Sequence, residues 1–299
     1  MAADGARRIG VLGPGGVGGL IAARLAHAGH EVTVVATERS APAIAVRGIT
    51  LRAPDGELRT RPRASAWLSA PVDVLFVAVK ANDLLGSLER VPARMLRGAV
   101  VVPLLNGIDH VAVLRARHPE SAVVAATIAV EATRHRAGEI EQLSSFSIVE
   151  VATPPELAAT AATVAELLEL PGLEVATNED EPFVLWRKLA VLAPMALLTT
   201  AANAPLGPAC EAHPDWVGPL VREVAAAAQA SGAAIDPEPV EARLRAVPPT
   251  MKTSMLKDRE AGRPLELDAI AGPILRALPA GGAPVTAAAV AEIIEATGR

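Results

Sequence analysis

Ile9-Gly10-Val11-Leu12-Gly13-Pro14-Gly15-Gly16-Val17-Gly18, near the start of the 299-residue chain, decides how its surroundings are read. Ile9 to Leu12 is a short apolar run, the pattern of a strand buried on both faces. Gly13, Gly15 and Gly18 follow in GxGxxG spacing. An alanine-rich stretch to Ala28, which Gly29 can cap, then predicts a helix. Glu31 to Ala36 is a second apolar strand, so the whole reads as a βαβ unit. In such a unit the first glycine permits the tight turn, the second lets the backbone approach a pyrophosphate, and the third allows close packing of helix on strand. The helix N-terminus offers free N–H groups and a partial positive charge to the phosphates. Gly13, Gly15, Gly16, Val17 and Gly18 are therefore expected to bind a dinucleotide.

The end of the second strand bears on which dinucleotide. An NAD site usually carries an acid about 20 positions after the glycines, bonded to the ribose 2′-hydroxyl. Here the strand tip is Ala36-Thr37, followed by Glu38-Arg39-Ser40. Thr37, Arg39 and Ser40 suit a 2′-phosphate, whereas Glu38 would repel it or bind a hydroxyl instead. NADP is the favoured reading. Val72 to Val79 is a third apolar run, ending in Lys80, and Val100 to Leu105 a fourth, ending in Asn106-Gly107. Ligands of an open α/β sheet lie outside the carboxyl ends of its strands. Lys80 and Asn106 are thus expected at the cofactor rim, against the plain alternatives of a solvated cap and a simple turn.

Strand-like runs continue at Glu139–Leu143 and Phe146–Val151, followed by helix Pro155–Leu170 and strand Leu173–Ala176. The polar stretch Asn178-Glu179-Asp180-Glu181-Pro182 reads as a hinge. Residues 1–178 are expected to form a Rossmann-type NADP-binding domain, and residues 182–299 an all-helical substrate domain, an α/β chain overall. The helices expected in the second domain are Phe183–Ala202 with a kink at Pro194, Asp215–Ser231, Val240–Ala246, Thr253–Ala261, Leu267–Leu278 and Val285–Thr297.

Composition narrows the functional classes. Aromatic residues are 2% of the chain with no tyrosine, and the net charge is −5. Stacking platforms for bases and a general attraction to phosphate backbones are both missing, which argues against nucleic-acid binding. One cysteine, Cys210, precludes an internal disulfide framework and fits a reducing compartment. The six histidines lack ligand spacing, so no metal site is expected. Met1 to Arg8 lacks the apolar core of a signal peptide. The uncharged run from Leu189 to Cys210 is long enough to span a bilayer, but Pro194, Asn203, Pro205 and Pro208 interrupt it, so it reads as buried helix plus loop. A cytoplasmic protein without a membrane partner is expected. The oligomeric state stays open, a homodimer being one candidate.

The chain uses arginine almost wherever it needs positive charge; of 28 basic residues only Lys80, Lys188, Lys252 and Lys257 are lysines. Arginine is locked in its charged form, while a lysine gives up its proton when burial lowers its pKa from about 10.4. Lys188, in Trp186-Arg187-Lys188-Leu189-Ala190, opens the uncharged run and is a candidate acid. The competing reading is a core-helix lysine that snorkels to water.

Taken together, Gly13-x-Gly15-x-x-Gly18, Val79-Lys80-Ala81, Asn106-Gly107, Trp186-x-Lys188-Leu189-Ala190 and Thr253-Ser254-Met255-Leu256-x-Asp258 followed by Glu266 resemble the ketopantoate reductase family. The match covers nearly the whole chain, in order. The first motif is shared with many dehydrogenases; the last two are far more specific. The resemblance implies hydride transfer from NADPH to the carbonyl carbon of a 2-oxo acid, with Lys188 as general acid and Glu266 as its acidic partner. It also implies that Ser254 binds the carboxylate end, Asn106 sits between cofactor and substrate, and Lys80 lies at the cofactor rim. Closure of the helical domain would exclude water and bring Lys188 to the carbonyl.

One departure stands out. The family usually carries asparagines one and two turns after the lysine, and positions i, i+4 and i+8 share a helix face. Here those positions are Leu192 and Ala196. A buried substrate hydroxyl left without a partner costs about 1–3 kcal/mol. Thr199, Thr200 or Asn203 could compensate; otherwise the pocket is more apolar than the family norm. Three readings stay open: a reductase of ketopantoate or a more apolar 2-oxo acid, another two-domain hydroxyacid or imine dehydrogenase, and a non-catalytic NADP sensor.

Overall fold

The computed structural model describes residues 5–298. It divides into two compact units: the chain through Leu105 together with His110–Glu181, and Asn106–Asp109 together with the chain from Pro182 onward.

The first unit opens with β1 (Arg8–Leu12), α1 (Gly16–His27) and β2 (Glu31–Val35). Next come α2 (Ala41–Arg47) and the hairpin β3 (Ile49–Ala53) and β4 (Gly56–Thr60), then β5 (Arg63–Ser65) and β6 (Val74–Val77). After them follow α3 (Leu84–Leu88), β7 (Val100–Pro103), α4 (His110–Arg117) and β8 (Ala122–Val123). The unit ends with β9 (Ala126–Ala129), β10 (Ala132–Arg136), β11 (Glu139–Gln142), β12 (Ile148–Ala152), α5 (Ala158–Leu168) and β13 (Glu174–Asn178).

The main sheet runs β5-β2-β1-β6-β7-β8, every pairing parallel. Counted along the chain, that is the doubly wound order 3-2-1-4-5-6, which reverses between β1 and β6. The crevice outside the carboxyl ends at such a reversal is where dinucleotides bind. The apolar runs behave as read: Ile9, Val11, Val34, Phe76 and Val102 are buried in one core. Two smaller sheets, β10-β11-β3-β4 and β13-β12-β9, complete the unit.

The second unit is helical. α6 (Glu181–Ala202) is followed by α7 (Leu206–Ala212), α8 (Val217–Ala230), α9 (Pro237–Arg245), α10 (Ser254–Glu260), α11 (Leu267–Ala277) and α12 (Pro284–Thr297). By length and composition α6 could cross a membrane, but 72% of its apolar window is buried. Leu189, Ala193, Leu197 and Leu198 join the core of this unit, so α6 packs as a core helix.

Several boundaries differ from the sequence reading. The third apolar run is a strand only over Val74–Val77, and α6 begins at Glu181, inside the expected hinge. Glu181 instead accepts from the two terminal nitrogens of the Arg115 guanidinium, at 2.8 and 2.7 Å. α6 runs on through Pro194 as one helix. The stretch read as loop after it contains α7, where Pro208 sits in the first turn, whose N–H groups have no partner within the helix to lose. Asn106–Asp109 leaves β7 and belongs with the helical unit. Gly107, at φ +85, packs so closely that an added Cβ would lie 2.5 Å from the Ala269 carbonyl oxygen.

Candidate active site

In the first unit, the glycine turn is built by three different constraints. Gly13 has φ +86, and a Cβ there would strike Val79 at 2.5 Å. Gly18 brings α1 so near the turn that a Cβ would sit 2.2 Å from the Gly13 oxygen. A Cβ on Gly16 would sit 2.2 Å from the Ala132 oxygen at the start of β10. Gly15 differs from these, since a Cβ there meets nothing nearer than 4.0 Å. The fold itself does not need a glycine at 15, whereas close approach of a ligand to the backbone would.

The start of α1 has no side-chain cap and no acid in its first turn. The N–H groups of Gly16, Val17 and Gly18 fall in that first turn, where no carbonyl of the helix reaches them. Bare donors and a positive helix end, open at Gly15, fit a pyrophosphate.

The neighbouring rim is tied to this turn. The Gly13 N–H donates to the Val35 oxygen at the end of β2 at 3.0 Å, and the Ala78 N–H after β6 donates to the Leu12 oxygen at 2.9 Å. Thr37, Glu38 and Arg39 are exposed just past β2, and Lys80 is half-buried just past β6. The first unit thus brings Gly13, Gly15, Gly16, Val17, Gly18, Thr37, Arg39 and Lys80 to one edge of its sheet. Asn106, expected on the same edge, is grouped with the other unit.

In the second unit, Lys188 lies early in α6, half-buried beside Trp186, Leu189 and Ala190, all of which are buried. Burial pushes its ammonium down to about 8, and the Glu266 charge pulls the other way without cancelling the effect. Glu266 is buried at the N-cap position of α11, where its carbonyl starts the helix by accepting from the Ile270 N–H at 3.1 Å. An amine of this kind exchanges a proton near neutral pH, as an arginine at the same place does not.

Ser254 is exposed at the first position of α10. The residue before it, Thr253, caps that helix by accepting from the Leu256 N–H at 3.2 Å. Leu192 is half-buried, and Ala196 is 1% exposed within the apolar core. Of the side chains expected to replace the missing amides, Thr199 is fully buried and bonded to Thr253, and Thr200 is fully buried with no partner for its hydroxyl among the described residues. Asn203 lies 15 residues beyond Lys188, about 22 Å along a helix. None of the three offers an amide or hydroxyl beside Lys188. The thiol of Cys210 and the apolar groove between α11 and α12, a cavity of about 430 Å³ lined by Leu265, Leu275, Val290 and Ile294, include no site residue.

Two family models cover most of the chain: ketopantoate reductase PanE/ApbA over residues 9–152, and the C-terminal part of the same family over residues 184–296. This chain belongs to the ketopantoate reductase family.

It is 33% identical over 278 residues to a 2-dehydropantoate 2-reductase of Caulobacter vibrioides, spanning 90% of this chain and 91% of that one. It is 34% identical over 278 residues to the enzyme of that name from Mycobacterium tuberculosis, spanning 90% of each. Among solved structures, a PanE/ApbA family ketopantoate reductase from Ralstonia eutropha JMP134 superposes with a TM-score of 0.82 at 24% identity, over 98% of this chain and all of that one. A D-mandelate dehydrogenase bound to NADH and anilino(oxo)acetate superposes at 0.86 and 20% identity, over 97% and 98%. These two structures share the fold. Family membership makes the chain an oxidoreductase acting on a CH–OH group, with NADP as cofactor.

Proposed function

We propose that this protein reduces a 2-oxo acid to the 2-hydroxy acid, with Lys188 as the proton donor. The observation that carries the reading is the Lys188 amine, lowered to about 8 by burial against the opposing pull of the buried Glu266 charge. NADPH supplies the hydride when bound. Gly13, Gly15, Gly16, Val17 and Gly18 would hold its pyrophosphate, Thr37 and Arg39 its 2′-phosphate, and Lys80 would lie at the same edge.

As hydride adds to the carbonyl carbon, the π pair of the C=O bond moves onto oxygen. The Lys188 ammonium meets that developing charge and transfers its proton, giving the alcohol and a neutral amine that regains a proton from solvent. Glu266 opposes the loss of the ammonium, which keeps the acid form populated at neutral pH. Ser254 binds the carboxylate end of the substrate, and Asn106 lies between cofactor and substrate. The 1–178 and 182–299 division then corresponds to a cofactor-binding part and a substrate part in one cytoplasmic enzyme.

The substrate side chain is read from the α6 face. Leu192 and Ala196 present no amide, and Thr199, Thr200 and Asn203 do not replace one. This supports a bulkier or less hydroxylated 2-oxo acid than ketopantoate. The second reading, ketopantoate itself, is favoured by the 2-dehydropantoate 2-reductase relatives at 33–34% identity.

Initial rates of NADPH oxidation with ketopantoate and with 2-oxoisovalerate separate them. A higher kcat/KM for 2-oxoisovalerate supports the apolar pocket, and a strong preference for ketopantoate refutes it. The sensor reading requires that no oxo acid is turned over and that Lys188→Ala leaves NADPH affinity intact. Turnover with a simple oxo acid, lost in Lys188→Ala, excludes it.

A further inference from the structure

Thr37-Glu38-Arg39-Ser40 forms a tight turn directly after β2, with the Ser40 and Ala41 N–H groups both donating to the Thr37 oxygen at 2.9 Å. It displays an acid and a base side by side, both exposed. By itself such a turn does not choose between cofactors. A carboxylate accepts from the two hydroxyls of an NAD ribose, whereas a guanidinium pairs with the 2′-phosphate of NADP.

A residue 52 positions further on resolves the conflict. The two terminal nitrogens of Arg90 donate to the two oxygens of Glu38, at 2.8 and 3.0 Å. Arg90 is itself held in place. It donates to the Ala66 oxygen at 3.3 Å, its guanidinium lies 5.9 Å from the centre of the Trp67 ring, and its carbonyl accepts from the Leu68 N–H at 2.9 Å. Its side chain is 23% exposed, against 65% for Glu38.

Each carboxylate oxygen that a ribose diol would use therefore already accepts a bond from Arg90, and the Glu38 charge is matched by one of opposite sign. Arg39, by contrast, has no ion-pair partner among the described residues. We propose that Arg90 is a specificity-determining residue for the cofactor: by occupying and neutralising Glu38, it leaves Arg39 as the net charge of the turn and so admits the 2′-phosphate of NADP.

The inference rests on the reading that this edge binds NADP, and the test separates the two. Dissociation constants of NADPH and NADH are measured by nicotinamide fluorescence, without oxo acid, for the parent, Arg90→Ala, Arg90→Lys, Glu38→Gln and the Glu38→Gln/Arg90→Ala pair. A phosphate of charge near −2 faces one uncompensated carboxylate in Arg90→Ala. Screened Coulomb repulsion then weakens NADPH by about 5- to 20-fold, more at low salt, with NADH changed less than about 2-fold or tightened.

Removing the acid as well restores most of the NADPH affinity, and Arg90→Lys, which keeps the charge, falls between parent and Arg90→Ala. Equal weakening of both cofactors in Arg90→Ala, or no recovery in the double variant, overturns the specificity role while leaving the NADP site standing. A parent protein that binds neither cofactor overturns both.

Discussion

The Thr199 and Thr253 hydroxyl oxygens lie 2.8 Å apart in the buried interior of the helical unit, joining α6, which carries Lys188, to α10, which begins at Ser254. The proton order follows from the partners. Thr199 donates to the Met195 oxygen at 2.8 Å, so Thr253 donates to Thr199 and accepts from the Leu256 N–H. Each hydroxyl gives one bond and takes one, an arrangement in which neighbouring bonds strengthen each other. Arg259 of α10 adds a second tie by donating to the Thr200 and Ala201 carbonyls in the last turn of α6.

Breaking that chain is expected to be felt at Ser254. Thr199→Val keeps the shape but leaves the Thr253 proton without an acceptor, at a cost of about 1–3 kcal/mol. Chemical denaturation should show that loss, and KM for the oxo acid should rise more than kcat falls. Thr199→Ser should recover both. Loss of stability without any change in KM would leave the pair with a structural role alone.

The two glycines at 15 and 18 should part company. Gly18→Ala drives a Cβ to 2.2 Å from the Gly13 oxygen, so it distorts the turn and lowers both thermal stability and NADPH affinity. Gly15→Ala meets no protein atom within ordinary contact. It should unfold within about 0.5 kcal/mol of the parent, as substitutions away from packed features usually do, while binding NADPH less well. Calorimetry and cofactor titration on the two variants check this; an unchanged affinity in Gly15→Ala would count against the loop as the pyrophosphate site.

His118 makes the first unit sensitive to acid. It is 5% exposed, and neither ring nitrogen has a partner among the described residues. Burial, helped by the Arg117 charge, lowers its pKa below 6.5. Below that value the unfolded chain binds a proton that the folded one refuses, so this contribution to stability is present at neutral pH and is lost as pH falls. Unfolding measured between about pH 7 and 5 should show a shallower acid decline in His118→Leu than in the parent.

Lys188 has the corresponding effect at the alkaline side. Its folded-state pKa of about 8 lies under the ordinary 10.5. Between those values the unfolded chain holds the extra proton, so stability from this group rises with pH across the window and is lowest below it. Lys188→Met should therefore unfold at a higher temperature than the parent at neutral pH, with the gain shrinking as pH approaches about 10.5. An equal gain at all pH values would mean the amine is not desolvated.

Much of this was legible in the sequence because it is local. The β1–α1–β2 unit shows in two apolar runs around a glycine turn, and the second unit shows as a series of helical stretches after a polar hinge. The hairpin β3–β4 alternates polar and apolar residues over only five positions per strand, and β5 is three residues long, too short to carry a period. Sequence proximity also misleads for Asn106, whose neighbours Gly107 and Ile108 pack with helices that come far later in the chain. The Glu38–Arg90 and Thr199–Thr253 pairs span 52 and 54 residues, and no spacing rule reaches that far.

The dependence of kcat/KM on pH tests the central claim most directly. With the parent protein, NADPH and 2-oxoisovalerate, the rate of reduction should hold near neutral pH and fall tenfold per unit above a pKa near that of Lys188, about 8. Lys188→Ala should lose about 10²- to 10⁴-fold in rate, lose that alkaline limb and keep its affinity for NADPH. A parent profile that stays level through this range, or a Lys188→Ala protein that retains the same alkaline fall, would contradict Lys188 as the group that protonates the alkoxide.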